Sequence, residues 1–181
     1  MNTVYEKILN GEYPDVEEFC EILGRDIPLL YEMKYTAQDE HWHAEGDVHI
    51  HTDMVLDEVY ALLEEEAADL SDNRKVALVL AALLHDICKP ICTVEKEING
   101  EVRLTCPRHE EKGRHYLVSR LMAVDLPYEV IRDVLALVGN HQYPRHLVLD
   151  NAGIASYKRL ARRVDFELLY WLELADMRGR E

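Results

Sequence analysis

Six side chains of the kinds that bind metal ions are spread along this chain of 181 residues. Each interval between them is about long enough for a helix, a turn and a second helix, so different segments of a helical protein can bring one ligand each to a common centre. The pattern therefore predicts a helical metal-dependent enzyme. The six residues are His51, the adjacent pair His85 and Asp86, His109, His141 and Asp176.

The segments around these residues show the apolar periodicity of helices that pack in a core. Between 47 and 70 the apolar residues recur at helical spacing, and His51 lies on their face. Residues 76–84 are all apolar, as expected of a helix that is buried on every side, and they lead directly into His85 and Asp86. The other three candidates lie on the apolar faces of later predicted helices, namely His109, His141 and Asp176.

A single histidine on an apolar face is usually a core residue whose hydrogen bonds are satisfied. Several such residues in one chain need another explanation, because each buried imidazole or carboxylate costs several kcal/mol unless it is paired, hydrogen-bonded or bound to a cation. A shared metal ion removes all of these penalties together. A metal centre is therefore the better interpretation.

The ligand types narrow the choice of metal only partly. Imidazole nitrogens mixed with carboxylate oxygens suit divalent manganese, iron, nickel, cobalt, zinc or magnesium, and the sequence does not select among them. We favour two ions, because Asp86 can bridge a pair through its two oxygens; a mononuclear site is the alternative. In the two-ion arrangement the first ion is held by His51, His85, Asp86 and Asp176, and the second by His109 and His141.

The remaining patterns complete an all-α fold with one small β-hairpin. A short helix is predicted over Val16–Leu23, a polar loop runs from Thr36 to Gly46, and Asn99-Gly100 predicts the turn of a hairpin over residues 92–105. The starts of the later helices are marked by Pro107, Pro127 and Asp165. We expect one domain, a compact helical bundle over residues 47–181 on which an N-terminal helix and loop extension, 1–46, packs.

Composition limits the partners and the location. The formal net charge of −15 disfavours extended contact with nucleic acid, whereas a small phosphorylated substrate remains compatible because bound cations dominate the potential inside a pocket. No apolar run is long enough to span a bilayer and the first residues lack a secretory signal, so we expect a cytoplasmic protein that does not contact membranes. Cys88 and Cys92 are predicted to be small buried hydrophobes rather than ligands of a structural zinc. The oligomeric state is not predicted.

Several of these segments together resemble the HD-domain metal-dependent phosphohydrolases. Within that superfamily the chain looks most like the HD domain attached to bacterial CCA-adding tRNA nucleotidyltransferases, and the similarity covers roughly residues 30–180. One departure is Cys88, which stands where the family usually has glycine. No nucleotidyltransferase domain is recognisable. The segments that carry the resemblance are 42–48, His51-Thr52, 83–90, His109-Glu110 with Gly113, Asn140-His141 and 175–180.

The resemblance implies a phosphatase or phosphodiesterase that acts on a nucleotide, or on a terminal or cyclic phosphate of RNA, through a metal-activated water. We expect Asp86 and Lys89 to be catalytic and Lys89 and Arg145 to bind the substrate phosphate. For Lys89 the alternative is a cation that stabilises the end of the preceding helix. The resemblance also places His43 near the entrance to the site, although a histidine in a surface loop is the better interpretation of that residue.

Two other functions are compatible with the same residues. Some HD-type proteins use this ligand series to hold two irons and activate dioxygen, which would make the chain a di-iron oxygenase. Alternatively, the metal stabilises a non-catalytic binding module. In that case a basic edge would recruit a partner or RNA, although a solvated helix face is the more usual meaning of such an edge. The edge consists of Lys158, Arg159, Arg162 and Arg163.

Overall fold

The structure, a computed structural model, describes residues 4–180. Its first half contains α1 (Val4–Leu9), α2 (Val16–Leu23), a 3-10 helix (Pro28–Tyr35), α3 (Val48–Glu64), α4 (Asp72–Leu84) and α5 (Lys89–Cys92). A two-stranded sheet of β1 (Val94–Ile98) and β2 (Glu101–Thr105) follows. The second half contains α6 (His109–Leu121), α7 (Tyr128–Val138), α8 (Tyr143–Leu149), α9 (Ile154–Leu160) and α10 (Phe166–Arg178). The predicted all-α class with one hairpin is confirmed.

Helix α4 occupies the centre of the bundle. Every residue from Val76 to Leu84 is fully buried, and the helix packs against α3 on one side, α7 on another and α10 on a third. A helix can accept neighbours on all sides only if it presents no polar face, as the sequence predicts. Because α4 ends inside the protein, the residues that follow it, His85 and Asp86, are also buried.

Two of the surrounding helices are fixed at their starts by aspartate N-caps. The Asp47 carboxylate accepts a hydrogen bond from the backbone N–H of Ile50 at the start of α3. The Asp165 carboxylate accepts from the N–H groups of Glu167 and Leu168 at the start of α10, as predicted. The buried faces that begin at these caps include His51 on α3 and Asp176 on α10.

The predicted hairpin is present, with Val94 opposite Thr105 in an antiparallel register. Its turn residues, Asn99 and Gly100, have φ values of +54° and +85°, as the tight two-residue turn requires. The hairpin is held against the loop between the 3-10 helix and α3 by Asp39. That carboxylate accepts hydrogen bonds from the Arg103 guanidinium and from the backbone N–H of Leu104.

The ends of two helices differ from the prediction. Helix α6 begins at His109 rather than directly after Pro107, because Arg108 adopts a left-handed conformation with φ of +58°. His141 does not continue α7, which ends at Val138. The Asn140 amide closes that end by donating a hydrogen bond to the carbonyl oxygen of Ala136 at 2.7 Å. His141 therefore lies in the turn after the helix, still buried.

The N-terminal elements share the core of the bundle. Val4 and Ile8 of α1, Phe19 of α2 and Leu30 of the 3-10 helix are buried in the same apolar cluster as α4. The boundary between an extension over 1–46 and a domain over 47–181 stays a prediction. Within residues 4–180 no helix is both long and apolar enough to cross a membrane.

Candidate metal centre

The structure brings all six predicted ligand residues together beside the buried end of α4. The two oxygens of Asp86 face opposite ways: Oδ1 lies 3.1 Å from His109 Nε2, and Oδ2 lies 3.2 Å from His85 Nε2. On the far side of His85, Asp176 Oδ1 lies 3.0 Å from His51 Nε2. All six residues are buried, although they come from five separate segments of the chain.

The donor atoms form two groups, each within 4.8 Å of one another. We call His51, His85 and Asp176 the Asp176 half, and Asp86, His109 and His141 the His109 half. Asp86 also reaches the first group, since its Oδ2 is 3.8 Å from His51 Nε2. Asp86 therefore presents an oxygen to each group and could contribute a ligand atom to both if metal ions were bound.

Hydrogen bonds to the backbone fix the orientation of three of the imidazoles. The Nδ1 atoms of His85, His109 and His141 each lie 2.7–2.9 Å from the carbonyl oxygen three residues earlier in the chain. A carbonyl oxygen only accepts, so each Nδ1 must carry the proton, and a neutral ring then presents the lone pair of Nε2 to the centre. His51 is held similarly, with Nδ1 2.9 Å from Glu45 Oε1 and 3.2 Å from the carbonyl oxygen of Gly179.

The Nε2 lone pairs of these imidazoles point towards one another and towards the carboxylate oxygens. His109 Nε2 and His141 Nε2 are 3.1 Å apart, and His85 Nε2 is buried without a hydrogen-bond partner of good geometry among residues 4–180. Opposed acceptors in a buried site are unfavourable unless a proton or a cation lies between them. The mixed nitrogen and oxygen set, in which no thiolate takes part, fits a divalent cation.

The electrostatics keep most of the donors in the deprotonated form that metal binding needs. Burial lowers the pKa of His141 to about 3, and the neighbouring His109 and His85 add to the shift. Burial opposes ionisation of Asp86, but Lys89 and His85 outweigh it and hold the pKa of that carboxyl well below its usual value. The pKa of Asp176 is lowered in the same way, against burial, by its hydrogen bond to His51 and by the charges of His85 and Arg180.

His85 behaves differently from His141 although both are buried. Burial lowers the pKa of His85, yet the two carboxylates beside it, Asp86 and Asp176, outweigh burial and raise the pKa above its usual value. A cation bound beside these carboxylates would compete with a proton for His85 Nε2, so acid would weaken metal binding at this position.

A cavity of about 280 Å³ opens over the centre on the side of His109. Lys89 lies at its inner wall, where Nζ is 2.6 Å from Asp86 Oδ2 and also donates a hydrogen bond to Gln38. The alternative that Lys89 stabilises the end of the preceding helix is wrong, because α4 ends at Leu84 and Lys89 opens α5. Arg145 is exposed at the rim, stacked on the Trp42 ring at 4.9 Å from its centre.

Two residues with a place in the site, Arg180 and Glu45, were given no such role from the sequence. A third, His43, was placed near the entrance by the resemblance but was interpreted as a surface-loop histidine. The Arg180 guanidinium pairs with Asp176 Oδ2 and also lines the cavity. The Glu45 carboxylate, 1% exposed, lies between His43 and His51. The interpretation of His43 as a surface-loop histidine is wrong, since its side chain is 11% exposed and its ring centre is 4.7 Å from that of His51. The only signal was that all three lie in segments carrying the family resemblance.

Cys88, Cys92 and the basic edge contribute no side chain to the two groups of candidate ligands. Cys88 and Cys92 are buried, and burial raises the pKa of the Cys88 thiol to about 11, so this thiol stays protonated. The metal-ligand groups found among residues 4–180 contain no cysteine. The side chains of the basic edge at 158–163 are exposed on α9 and the turn after it.

Comparison with known proteins gives the family. A model of the HD domain matches residues 55–166, a stretch that includes His85, Asp86, His109 and His141 and stops short of the two outermost candidates. A curated relative, the Multifunctional CCA protein of Shewanella frigidimarina, is 30% identical over 148 residues, which is 78% of this chain and 31% of the relative. The chain thus spans about a third of the length of that protein. No solved structure matches. The chain belongs to the HD domain family.

Proposed function

We propose that the chain is a divalent-metal-dependent phosphohydrolase, a phosphatase or phosphodiesterase that acts on a nucleotide or on a terminal or cyclic phosphate of RNA. One observation carries the proposal: the Nε2 atoms of four oriented imidazoles and the oxygens of two ionised carboxylates converge below a cavity lined by basic side chains. Membership of the HD domain family supports it.

The six residues His51, His85, Asp86, His109, His141 and Asp176 would hold one or two divalent ions of manganese, iron, nickel, cobalt, zinc or magnesium. Such an ion, when bound, lowers the pKa of a coordinated water towards neutrality and neutralises charge on the phosphoryl oxygens. The hydrogen bonds from Nδ1 to the backbone keep the rings from turning, so the donor set is organised before any ion arrives.

The basic residues around the cavity would bind the phosphate. Lys89 donates hydrogen bonds to Asp86 and Gln38. The first of these holds in place the carboxylate that both halves share. The third hydrogen of the ammonium is left for a phosphate oxygen in the cavity. The guanidinium of Arg145 lies over the Trp42 ring at the rim, and that of Arg180 lies against Asp176. These cations offset the repulsion between an anionic substrate and a protein whose net charge is −15.

The test is metal analysis of the purified protein followed by a panel of phosphoesters. The panel contains nucleoside monophosphates, 2′,3′-cyclic nucleotides, cyclic dinucleotides and aryl phosphates, assayed without oxygen in the presence of manganese, nickel or cobalt. Hydrolysis of any of them that is abolished by EDTA supports the proposal. In a parallel aerobic assay of the iron-loaded protein, oxygen uptake with a mixed-valence iron signal would select the oxygenase instead. Bound metal without turnover of any ester would select the binding module.

A further inference from the structure

A hydrogen-bonded pair, His43 and Glu45, connects the metal centre with the cavity above it. Glu45 Oε1 lies 2.8 Å from His43 Nδ1 and 2.9 Å from His51 Nδ1, so one carboxylate oxygen is shared by two imidazoles. Since a carboxylate only accepts hydrogen bonds, both Nδ1 atoms must donate to it. The burial of Glu45 holds this arrangement away from water.

The shared carboxylate fixes which nitrogen of His43 faces the cavity. With Nδ1 committed to Glu45, a neutral His43 presents the lone pair of Nε2, and the ring lines the cavity. Within residues 4–180 no hydrogen-bond partner of His43 Nε2 is found. It is therefore an acceptor available to a ligand.

Two other acceptors on the cavity wall are already engaged. The Gln38 side-chain oxygen accepts from Lys89, and the Asp39 carboxylate accepts from Arg103. The basic side chains of the wall offer only hydrogen-bond donors, which match the oxygens of a phosphate. The wall thus combines donors for a phosphate with an acceptor whose direction is fixed at His43, and this combination suits a hydroxyl group close to the phosphate. The Gln142 amide, also on the wall, can donate or accept.

We propose that His43 is a specificity-determining residue that accepts a hydrogen bond from a substrate hydroxyl next to the scissile phosphate, and that Glu45 is its positioning residue. The inference rests on the proposed function and narrows it to phosphoesters with a vicinal hydroxyl, such as ribonucleotides, over their deoxy counterparts. A site that provides a hydrogen bond to a hydroxyl selects against the analogue without it, because the acceptor is then left unpaired.

The experiment compares 3′-AMP with 2′-deoxyadenosine 3′-monophosphate in the metal-loaded protein. We expect kcat/KM to favour the ribonucleotide by about tenfold or more, the size expected for one hydrogen bond that leaves its acceptor unpaired when lost. The side chain of His43→Asn can still donate to Glu45 but has no group at the position of Nε2. The ratio of kcat/KM for the ribonucleotide to that for the deoxynucleotide should therefore fall towards one. His43→Gln places an amide oxygen near that position and should restore part of it. His41→Asn, at the exposed histidine two residues earlier, is the matched control and should keep the parent preference.

The outcomes separate this inference from the proposed function. Equal kcat/KM for the two nucleotides in the parent, or an equal loss on both in His43→Asn with unchanged metal content, would overturn the role of His43. Hydrolysis of aryl phosphates without hydrolysis of 3′-AMP would also overturn it while leaving the phosphohydrolase standing. Failure to hydrolyse any ester with metal bound would overturn the proposed function instead.

Discussion

The two halves of the metal centre share Asp86 but differ in charge. In the Asp176 half two carboxylate oxygens, Asp176 Oδ1 and Asp86 Oδ2, face the imidazoles of His51 and His85. In the His109 half Asp86 Oδ1 is the one carboxylate oxygen, and the remaining donors are two imidazoles. A divalent cation gains more from carboxylates than from neutral ligands, so we expect the Asp176 half to bind its ion more tightly.

The halves also differ in access. His109 lines the cavity, whereas none of the residues of the Asp176 half does. With two ions bound, the weaker position would therefore lie beside the cavity and the tighter one deeper in the protein. We propose a division of labour in which the deep ion would organise the site and the outer one would exchange with solvent.

The largest effect is expected at Asp86, the residue that both halves share. Asp86→Ala removes an oxygen from each half and leaves Lys89 without its anion. We expect both ions to be lost and hydrolysis to fall by at least about 10³-fold, because the metal supplies most of the activation of water. Metal content and initial rates measure this, and far-UV circular dichroism checks that the helices remain.

The control for that variant is Asp133→Ala, a carboxylate on α7 that pairs with Arg132 at the surface. It should keep the parent metal content and rate. If the Asp86→Ala protein still turned over a phosphoester at the parent rate, the active site would lie elsewhere in the molecule. The two halves would then have no part in catalysis.

Substitution of one histidine in each half separates the two ions. His51→Gln should leave less than one equivalent of metal and reduce turnover as severely as loss of Asp86. His141→Gln should keep the deep ion, lose the outer one, and lower kcat by about 10–100-fold, the range seen when a metal site is perturbed rather than removed. Titration with manganese followed by metal analysis gives the stoichiometry. A His141→Gln protein with the same stoichiometry and rate as the parent would make the site mononuclear.

The convergence of the six candidate ligand residues could be predicted, whereas the orientation of their side chains could not. Helical periodicity and the unbroken apolar run before His85 place six polar residues in a core, and that is enough to infer convergence on a metal. The choice between Nδ1 and Nε2 depends on turns at helix ends, such as the one that sets His141 on the carbonyl oxygen of Val138. Such turns arise from close packing that residue spacing does not encode.

The loop that contains His43 and Glu45 was the least predictable part of the site. Its path depends on the bond between Asp39 and Arg103, residues that are 64 positions apart in sequence. The residue pattern within a loop carries no information about such a distant pair. A polar segment before α3 is therefore predicted to be a solvent-exposed loop. The hairpin turn at Asn99-Gly100, by contrast, is a property of two adjacent residues and was predicted correctly.

A smaller effect is expected at the basic residues above the centre. Lys89→Met removes the ammonium that contacts Asp86 and faces the cavity, and we expect KM for phosphoesters to rise by about tenfold, as for the loss of one charge-assisted hydrogen bond. Arg145→Met at the exposed rim should raise KM by only about two- to threefold, because solvent and salt screen its charge. Steady-state kinetics at two ionic strengths measure both. A larger effect on KM at Arg145 than at Lys89 would mean that the phosphate binds at the rim of the cavity, away from the metal centre.

The smallest effect concerns stability and the charge of the Asp176 half. Glu173, one turn before Asp176 on α10, has a buried Oε1 without a hydrogen-bond partner among residues 4–180, and burial together with Asp176 raises its pKa to about 8. The folded, metal-free protein therefore keeps a proton on this carboxyl up to about pH 8, whereas the unfolded chain releases it above about pH 4.5. Between these values the unfolded state binds fewer protons, so the free energy of unfolding falls as the pH rises.

Glu173→Gln keeps the shape of the side chain and cannot ionise. In the presence of EDTA we expect the variant to be more stable than the parent by about 1–3 kcal/mol at pH 8 and equally stable at pH 5. The gain is smaller than the full pKa shift would give, because the site can relax and admit water. Urea unfolding at both values measures the difference, with Glu65→Gln at an exposed glutamate as the control. A bound divalent ion would offset the repulsion from Asp176 and reduce the advantage of the variant. If the stability difference at pH 8 stayed the same after metal was added, no ion would be bound beside Asp176. The larger negative charge of the Asp176 half would then not determine where the tight ion binds.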